Sequence, residues 1–243
     1  MDRYFTLAAE TLSTVLATQK DKMEEAAQKL KEASLAKQSI FAFGCNHAGM
    51  LAFELFYRAG GLVTINPIRA AGMMLEMTPI TMTSELERLD GYGKIILDNT
   101  PIRKGDILIL HSVTGRNPVI VEMAMLARER GIFVLAITNM RSSQAVPSRH
   151  KSGLRLFEAA DLVIDNCGVA GDAALSIEGV AEKTAPTSTV VGAAIVNAIA
   201  ARTIELLASE NVTPPIFISA NAEGGDAHNQ KILAEYADNI FYM

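Results

Sequence analysis

Ser112, Thr114 and Asn117 fall within one short run, Ser112 to Asn117 (SVTGRN), with Gly115 among them. Short hydroxyl and amide donors around a glycine that lets the backbone come close suit a phosphate or a carboxylate. The same residue types also cap helices, and capping alone would explain any one of them. Three donors around one glycine favour anion binding. A second group is the turn Gly44-Cys45-Asn46-His47-Ala48-Gly49, whose glycines permit a tight bend and whose Asn46 amide can donate. His47 reads equally as a ligand contact and as a helix cap. Glu54 lies in LAFELFYRAG, a helix otherwise apolar from Met50 to Tyr57, where burial would suit a carboxylate to act as a base near neutrality. The competing reading pairs Glu54 with Arg58, one helical turn on. Thr187, Ser188 and Thr189 follow Pro186 and read as a capping cluster, and His228 beside Asp226 reads by itself as a surface imidazole.

The elements that must position these groups follow from periodicity. Asp106 to Asn139 reads as strand, turn, helix and strand: Ile107 to Leu110 and Phe133 to Thr138 are apolar runs, Pro118 suits a first helical turn and Gly131 a helix stop. Further strands read at Ile40 to Gly44, Leu62 to Asn66 and Leu162 to Asp165, with helices between most of them. The pattern predicts an α/β fold, a doubly wound parallel sheet, in which ligands sit beyond the carboxyl ends of the strands. Both candidate turns fall there. Residues 4 to 36 read as one or two opening helices, and a closing helix runs from Asp226. Asn139 to Gly153 and Val212 to Asp226 hold too many turn formers to be core.

Composition narrows the function. The chain has 243 residues, 49% of them hydrophobic, enough for one large α/β domain or a domain with helical additions. A net charge of −5 with no Lys/Arg-rich run speaks against nucleic acid. The longest apolar stretch, Val190 to Ala201, is interrupted by Asn197 and is too short to span a bilayer, so no membrane partner is expected. MDRYFTLAAE has no long apolar segment of the signal-peptide kind, which points to a cytoplasmic address. Cys45 and Cys167 are far apart, and no second His or carboxylate lies at ligand spacing near His47, so neither a disulfide framework nor a metal is expected. G-x-G-x-x-G and G-x-x-x-x-G-K-[ST] are both missing, so no nucleotide cofactor is expected.

The pattern S-x-[ST]-G-x-x, followed by a helix and a strand ending in AIT, resembles the SIS (sugar isomerase) domain, which binds phosphosugars. Ile40 to Gly61 (IFAFGCNHAGMLAFELFYRAGG) is similar to the first strand, turn and helix of that domain, and APTSTVVGAAIVNAIAARTIELL, from Ala185, to a later Ser/Thr-capped helix. The resemblance divides the chain into an N-terminal helical extension (1–34), a SIS domain (35–210) with a Rossmann-like three-layer sandwich, and a C-terminal loop and helix (211–243). It implies a single-domain phosphosugar or phosphoheptose isomerase-like protein that binds a sugar phosphate at Ser112, Thr114, Gly115 and Asn117, with Asn46, His47, Thr187 and Ser188 as further contacts. SIS domains usually carry a Ser near the position of Asn46, so binding strength there does not transfer. The resemblance also implies Glu54 as catalytic base and His228 as acid, the latter often supplied across a subunit boundary, and association into a dimer or tetramer. The opening helix and the helix from Ser188 are candidate contact surfaces. Glu182 and Lys183 stand in reserve; His111 faces the second turn, and His150, Arg149 and Lys151 form a basic loop that could meet phosphate but is more simply explained by solvent exposure. A non-catalytic phosphosugar sensor, or lyase or etherase chemistry on an amino-sugar phosphate, fits the same residues.

Overall fold

A computed structural model describes residues 1–243. The chain opens with α1 (Asp2–Leu35), one continuous helix because neither Gly nor Pro interrupts it. There follow β1 (Ile40–Gly44), α2 (Met50–Leu55), β2 (Ile65–Pro67), α3 (Thr81–Leu86), α4 (Tyr92–Asp98), β3 (Ile107–His111), α5 (Pro118–Glu129), β4 (Phe133–Thr138), α6 (Met140–Gln144), α7 (Leu156–Ala159) and β5 (Leu162–Asp165). A short antiparallel hairpin, β6 (Ala173–Leu175) with β7 (Thr184–Pro186), precedes α8 (Ser188–Ser209) and α9 (Gly225–Glu235).

Strands β1 to β5 form one parallel sheet in the order β2-β1-β3-β4-β5. Both faces are covered, and the period-two alternation of strand side chains assigns them to two cores. Ile40, Ala42, Ile107, Ile109, Leu135 and Ile137 face α1, α2 and α8. Phe41, Phe43, Leu108, Leu110, Val134 and Ala136 face α4, α5 and α7. The chain leaves β1 toward one edge and returns at β3 toward the other, and the register sets Gly44 beside His111. The Gly44 and Ser112 turns therefore emerge side by side at the point where the winding reverses, the usual ligand crevice of such sheets.

Several local expectations change. The second strand begins at Ile65, not Leu62: with Gly60 at φ 81 the chain turns, and Leu62 makes an antiparallel bridge to Ile216 instead. Hydrogen bonds from Val63 N to the Pro215 carbonyl and from Phe217 N to the Gly61 carbonyl, both 2.9 Å, hold that bridge. α2 stops at Leu55 rather than continuing to Tyr57, because Phe56 is extended and Tyr57 has φ 45. The apolar stretch from Val190 to Ala201 lies within the 22-residue α8, which is long and apolar enough to cross a membrane by composition. Val191, Ile195, Val196 and Ile199 of α8 instead pack into the core shared with α1 and α2. Part of the stretch from Asn139 to Gly153 is core: Ser142, Ser143 and His150 are buried, and the Asn139 side chain caps α6 by accepting from Ser142 N at 2.7 Å.

Candidate functional site

The Ser112–Asn117 turn is fastened at both ends. Ser112 N donates to the Ile137 carbonyl at 3.1 Å, and Leu156 N donates to the Gly115 carbonyl at 2.7 Å. The Ser112 hydroxyl accepts from Gly115 N at 3.1 Å. Gly115 has φ 57, and a Cβ there would stand 2.9 Å from the Leu156 Cβ, so conformation and space both call for glycine. Asn117 is the N-cap of α5 but makes no side-chain cap bond; its Oδ1 accepts from Arg149 Nη1 at 2.9 Å. Capping therefore does not account for Asn117. The backbone N–H groups of Val113, Thr114, Arg116 and Asn117 and the Thr114 hydroxyl find no hydrogen-bond acceptor within the chain. Unsatisfied donors at the start of a twelve-residue helix are what an anion seat consists of.

The Gly44 turn lies against it. A Cβ on Gly44 would come within 2.6 Å of the Ala48 carbonyl, so the strand can pass directly into the 3-10 turn Asn46–Gly49 only with glycine. Asn46 sits at φ 56 with its Oδ1 buried and unpartnered, and His47 is exposed. His111, at the carboxyl end of β3, is buried and donates from Nδ1 to the Ala48 carbonyl at 3.0 Å, tying the two turns together. That bond leaves Nε2 as the bare nitrogen of a neutral ring, buried and without a partner. Burial pushes the imidazole below its ordinary range, partly opposed by the Ala48 carbonyl and Asp172.

Glu87, which sequence reading passed over, stands between the turns. Its carbonyl accepts from Val119 N at 3.4 Å, and its carboxyl lies close enough to Asn117 on one turn and Cys45 on the other for each to influence its titration. Burial lifts this carboxyl above the ordinary carboxylate range against the opposing pull of Asn117, Arg88 and Arg149. Burial and the nearby Glu87 carboxylate push the Cys45 thiol up as well. In sequence nothing marks Glu87, between Leu86 and Arg88; only packing of the segment after α3 against α5 brings it inward.

The remaining candidates are dispersed. Glu54 is not buried as its apolar helix suggested: its side chain keeps 32% of its surface exposed, pairs with Arg58 and accepts from Asn197 Nδ2 of α8 at 2.6 Å. His228 is half-buried in α9 and donates from Nε2 to the Ile216 carbonyl at 3.0 Å. Ile216 bridges Leu62, ahead of β2, so His228 lies toward the amino ends of the strands, away from both turns of its own chain. Thr187 and Ser188 are buried, and Asp172 of the hairpin accepts from Thr187 N at 3.0 Å and Ser188 N at 2.8 Å. Glu182 and Lys183 are exposed on that hairpin. His150, expected in solvent, is buried 3.8 Å from Glu122 and hydrogen-bonds Ser152 at 2.7 Å.

The model of the SIS domain family matches residues 3–139. A UPF0309 protein of Oceanobacillus iheyensis is 46% identical over 243 residues, covering 100% of this chain and 99% of the relative. The chain belongs to the SIS domain family. A UPF0309 protein of Shouchella clausii is also 46% identical to this SIS protein over 238 residues, 96% of it and 97% of the relative. Among solved structures, the SIS fold is shared with a phosphoheptose isomerase of Francisella tularensis (TM-score 0.56, 13% identity, covering 84% of this chain and 96% of that one). It is likewise shared with a phosphoheptose isomerase of Neisseria gonorrhoeae (TM-score 0.51, 15% identity, covering 86% and 96%). The match begins at residue 3, and α1 packs Ala26, Ala27 and Leu30 into the same core as the sheet, so the opening helix is structurally part of the SIS layer.

Proposed function

We propose that this SIS protein binds the phosphate of a sugar phosphate at the Ser112–Asn117 turn and isomerises the sugar between aldose and ketose forms. The unsatisfied N–H groups of Val113, Thr114, Arg116 and Asn117, beside the Ser112 and Thr114 hydroxyls, carry the reading. They supply the donors that phosphate oxygens need at a helix start. Asn46 and His47 border the crevice where the sugar would extend. The phosphoheptose isomerases that share the fold support the same class of ligand and reaction.

Isomerisation requires a base to take the proton from the carbon next to the carbonyl, giving an enediol, and to return it to the neighbouring carbon, while an acid serves the oxygens. Glu54, held by Asn197 and Arg58, is the proposed base. His228 is the proposed acid and would come from a second copy of the chain, since its own position is toward the opposite end of the sheet. Glu87 gives lyase or etherase chemistry on an amino-sugar phosphate a foothold as the second reading, because a partly buried carboxyl near both turns suits elimination as well.

The test is a thermal-shift series with hexose, heptose and amino-sugar phosphates against their unphosphorylated counterparts. Stabilisation by phosphorylated sugars alone is expected and selects the substrate for an isomerisation assay. No shift with any of them would remove the sugar-phosphate reading.

A further inference from the structure

Three guanidinium groups converge beside the phosphate turn. Arg149, from the loop ahead of α7, lies within electrostatic reach of both Arg116 and Arg88, and partial burial together with these two cations lowers the pKa of its guanidinium. Its backbone N–H donates to the Arg116 carbonyl at 2.8 Å and its Nη1 to Asn117 at 2.9 Å, so the loop is pinned to the turn. None of the three makes an ion pair within 4.0 Å, as is also true of Arg3, Arg69, Arg103 and Arg141. Arg116 Nε is buried with no partner. The carboxylate in reach is Glu87, which faces Arg88 and Arg149 and is the one negative group they share.

Three cations that share one carboxylate repel one another, and a fold tolerates this where an anion is to be received. A charge count sets how much anion is needed. Three guanidinium groups and about half a positive charge from the start of α5 face a phosphate of about −2 and the single Glu87 carboxylate, so positive charge is left over. The donors for that phosphate are already present in the turn's own N–H groups and hydroxyls. Arg88 and Arg149 come from outside it and gather around Asn117 and Glu87, at the helix end of the turn rather than its strand end.

We infer that Arg88, Arg116 and Arg149 receive a second anionic group of the substrate, so that the ligand is a sugar phosphate carrying a further carboxylate or phosphate. This rests on the phosphate assignment to the Ser112–Asn117 turn and narrows it to a substrate class.

The experiment measures dissociation constants by calorimetry for glucose 6-phosphate, 6-phosphogluconate, fructose 1,6-bisphosphate and gluconate. The proteins compared are the wild type, Arg88→Gln, Arg149→Gln, and Ser112→Ala combined with Thr114→Val. Both arginines are exposed, so their replacement leaves the core alone, and unchanged melting curves verify this. The wild type should bind 6-phosphogluconate, fructose 1,6-bisphosphate or both about tenfold or more tighter than glucose 6-phosphate, and which of them gains tells carboxylate from phosphate. Each arginine variant should lose most of that gain while its affinity for glucose 6-phosphate changes by at most about threefold. Equal wild-type affinity for the singly and doubly anionic sugars would overturn the inference, as would arginine variants that lose all probes alike, since the cluster would then serve the first phosphate. Doubly anionic probes that still bind the Ser112 and Thr114 double variant as tightly as the wild type would instead remove the phosphate assignment. Failure of every probe to bind the wild type would remove both.

Discussion

Asp172 and Ser188 are joined twice: the Ser188 backbone N–H donates to Asp172 Oδ1 at 2.8 Å and its hydroxyl to Oδ2 at 2.5 Å. A carboxylate from the β6–β7 hairpin thus occupies the amino end of α8 in the way a bound anion would, and Thr187 N adds a third bond at 3.0 Å. The Thr187–Ser188 cluster has an acceptor inside the chain, whereas the Ser112–Asn117 turn does not. Asp172→Ala should lower unfolding stability by about 1–3 kcal/mol, because it strips the helix start of its acceptor and frees the hairpin. Urea denaturation reads this directly, and a midpoint equal to that of the wild type would mean the hairpin contact is not kept in solution.

The unpartnered donors of the other turn give the opposite expectation. Ser112→Ala with Thr114→Val should leave stability nearly unchanged apart from the Gly115 contact and should weaken sugar-phosphate binding at least about tenfold. Titration calorimetry with the sugar phosphate chosen by thermal shift measures the loss. Undiminished affinity would take the phosphate away from this turn.

Glu54→Gln keeps the size of the side chain and an oxygen that can still accept from Asn197, so the fold and the ligand affinity should survive. Turnover should fall by about 10²–10⁴, the range a positioned base contributes. An isomerisation assay with separately measured affinity separates the two effects, and full activity in the variant would discharge Glu54 as base.

His111 makes stability depend on pH. Burial holds its folded-state pKa below the ordinary value of 6.5, so as pH falls through that value the unfolded chain takes up a proton that the folded chain refuses. Its stability contribution is therefore full above about pH 6.5 and is lost below it, at no more than about 1.4 kcal/mol per pH unit. Melting temperatures between pH 7.5 and 5.5 should fall more steeply for the wild type than for His111→Gln. Parallel profiles would show that the imidazole is not buried neutral.

Strand type, sheet class and the first and third strands were readable from local pattern, because a strand covered on both faces needs an apolar run and β1 and β3 are such runs. The Ser112 turn was readable for a related reason: Pro118 and Gly115 punctuate the chain through short-range backbone chemistry. The second strand was misplaced by three residues because its boundary depends on Pro215 to Phe217, far off in the chain, capturing Gly61 to Val63.

The sequence by itself determined the parallel, doubly wound class of the sheet and the donor-rich turn between β3 and α5, since both follow from interactions among neighbours along the chain. Tertiary structure decided which side chains belong to that turn. Glu87 and Arg149 approach it from separate segments, His228 is carried away from it, and Thr187 and Ser188 are given to Asp172. Such assignments turn on contacts across long loops, where no periodicity records which charged residue will meet which donor.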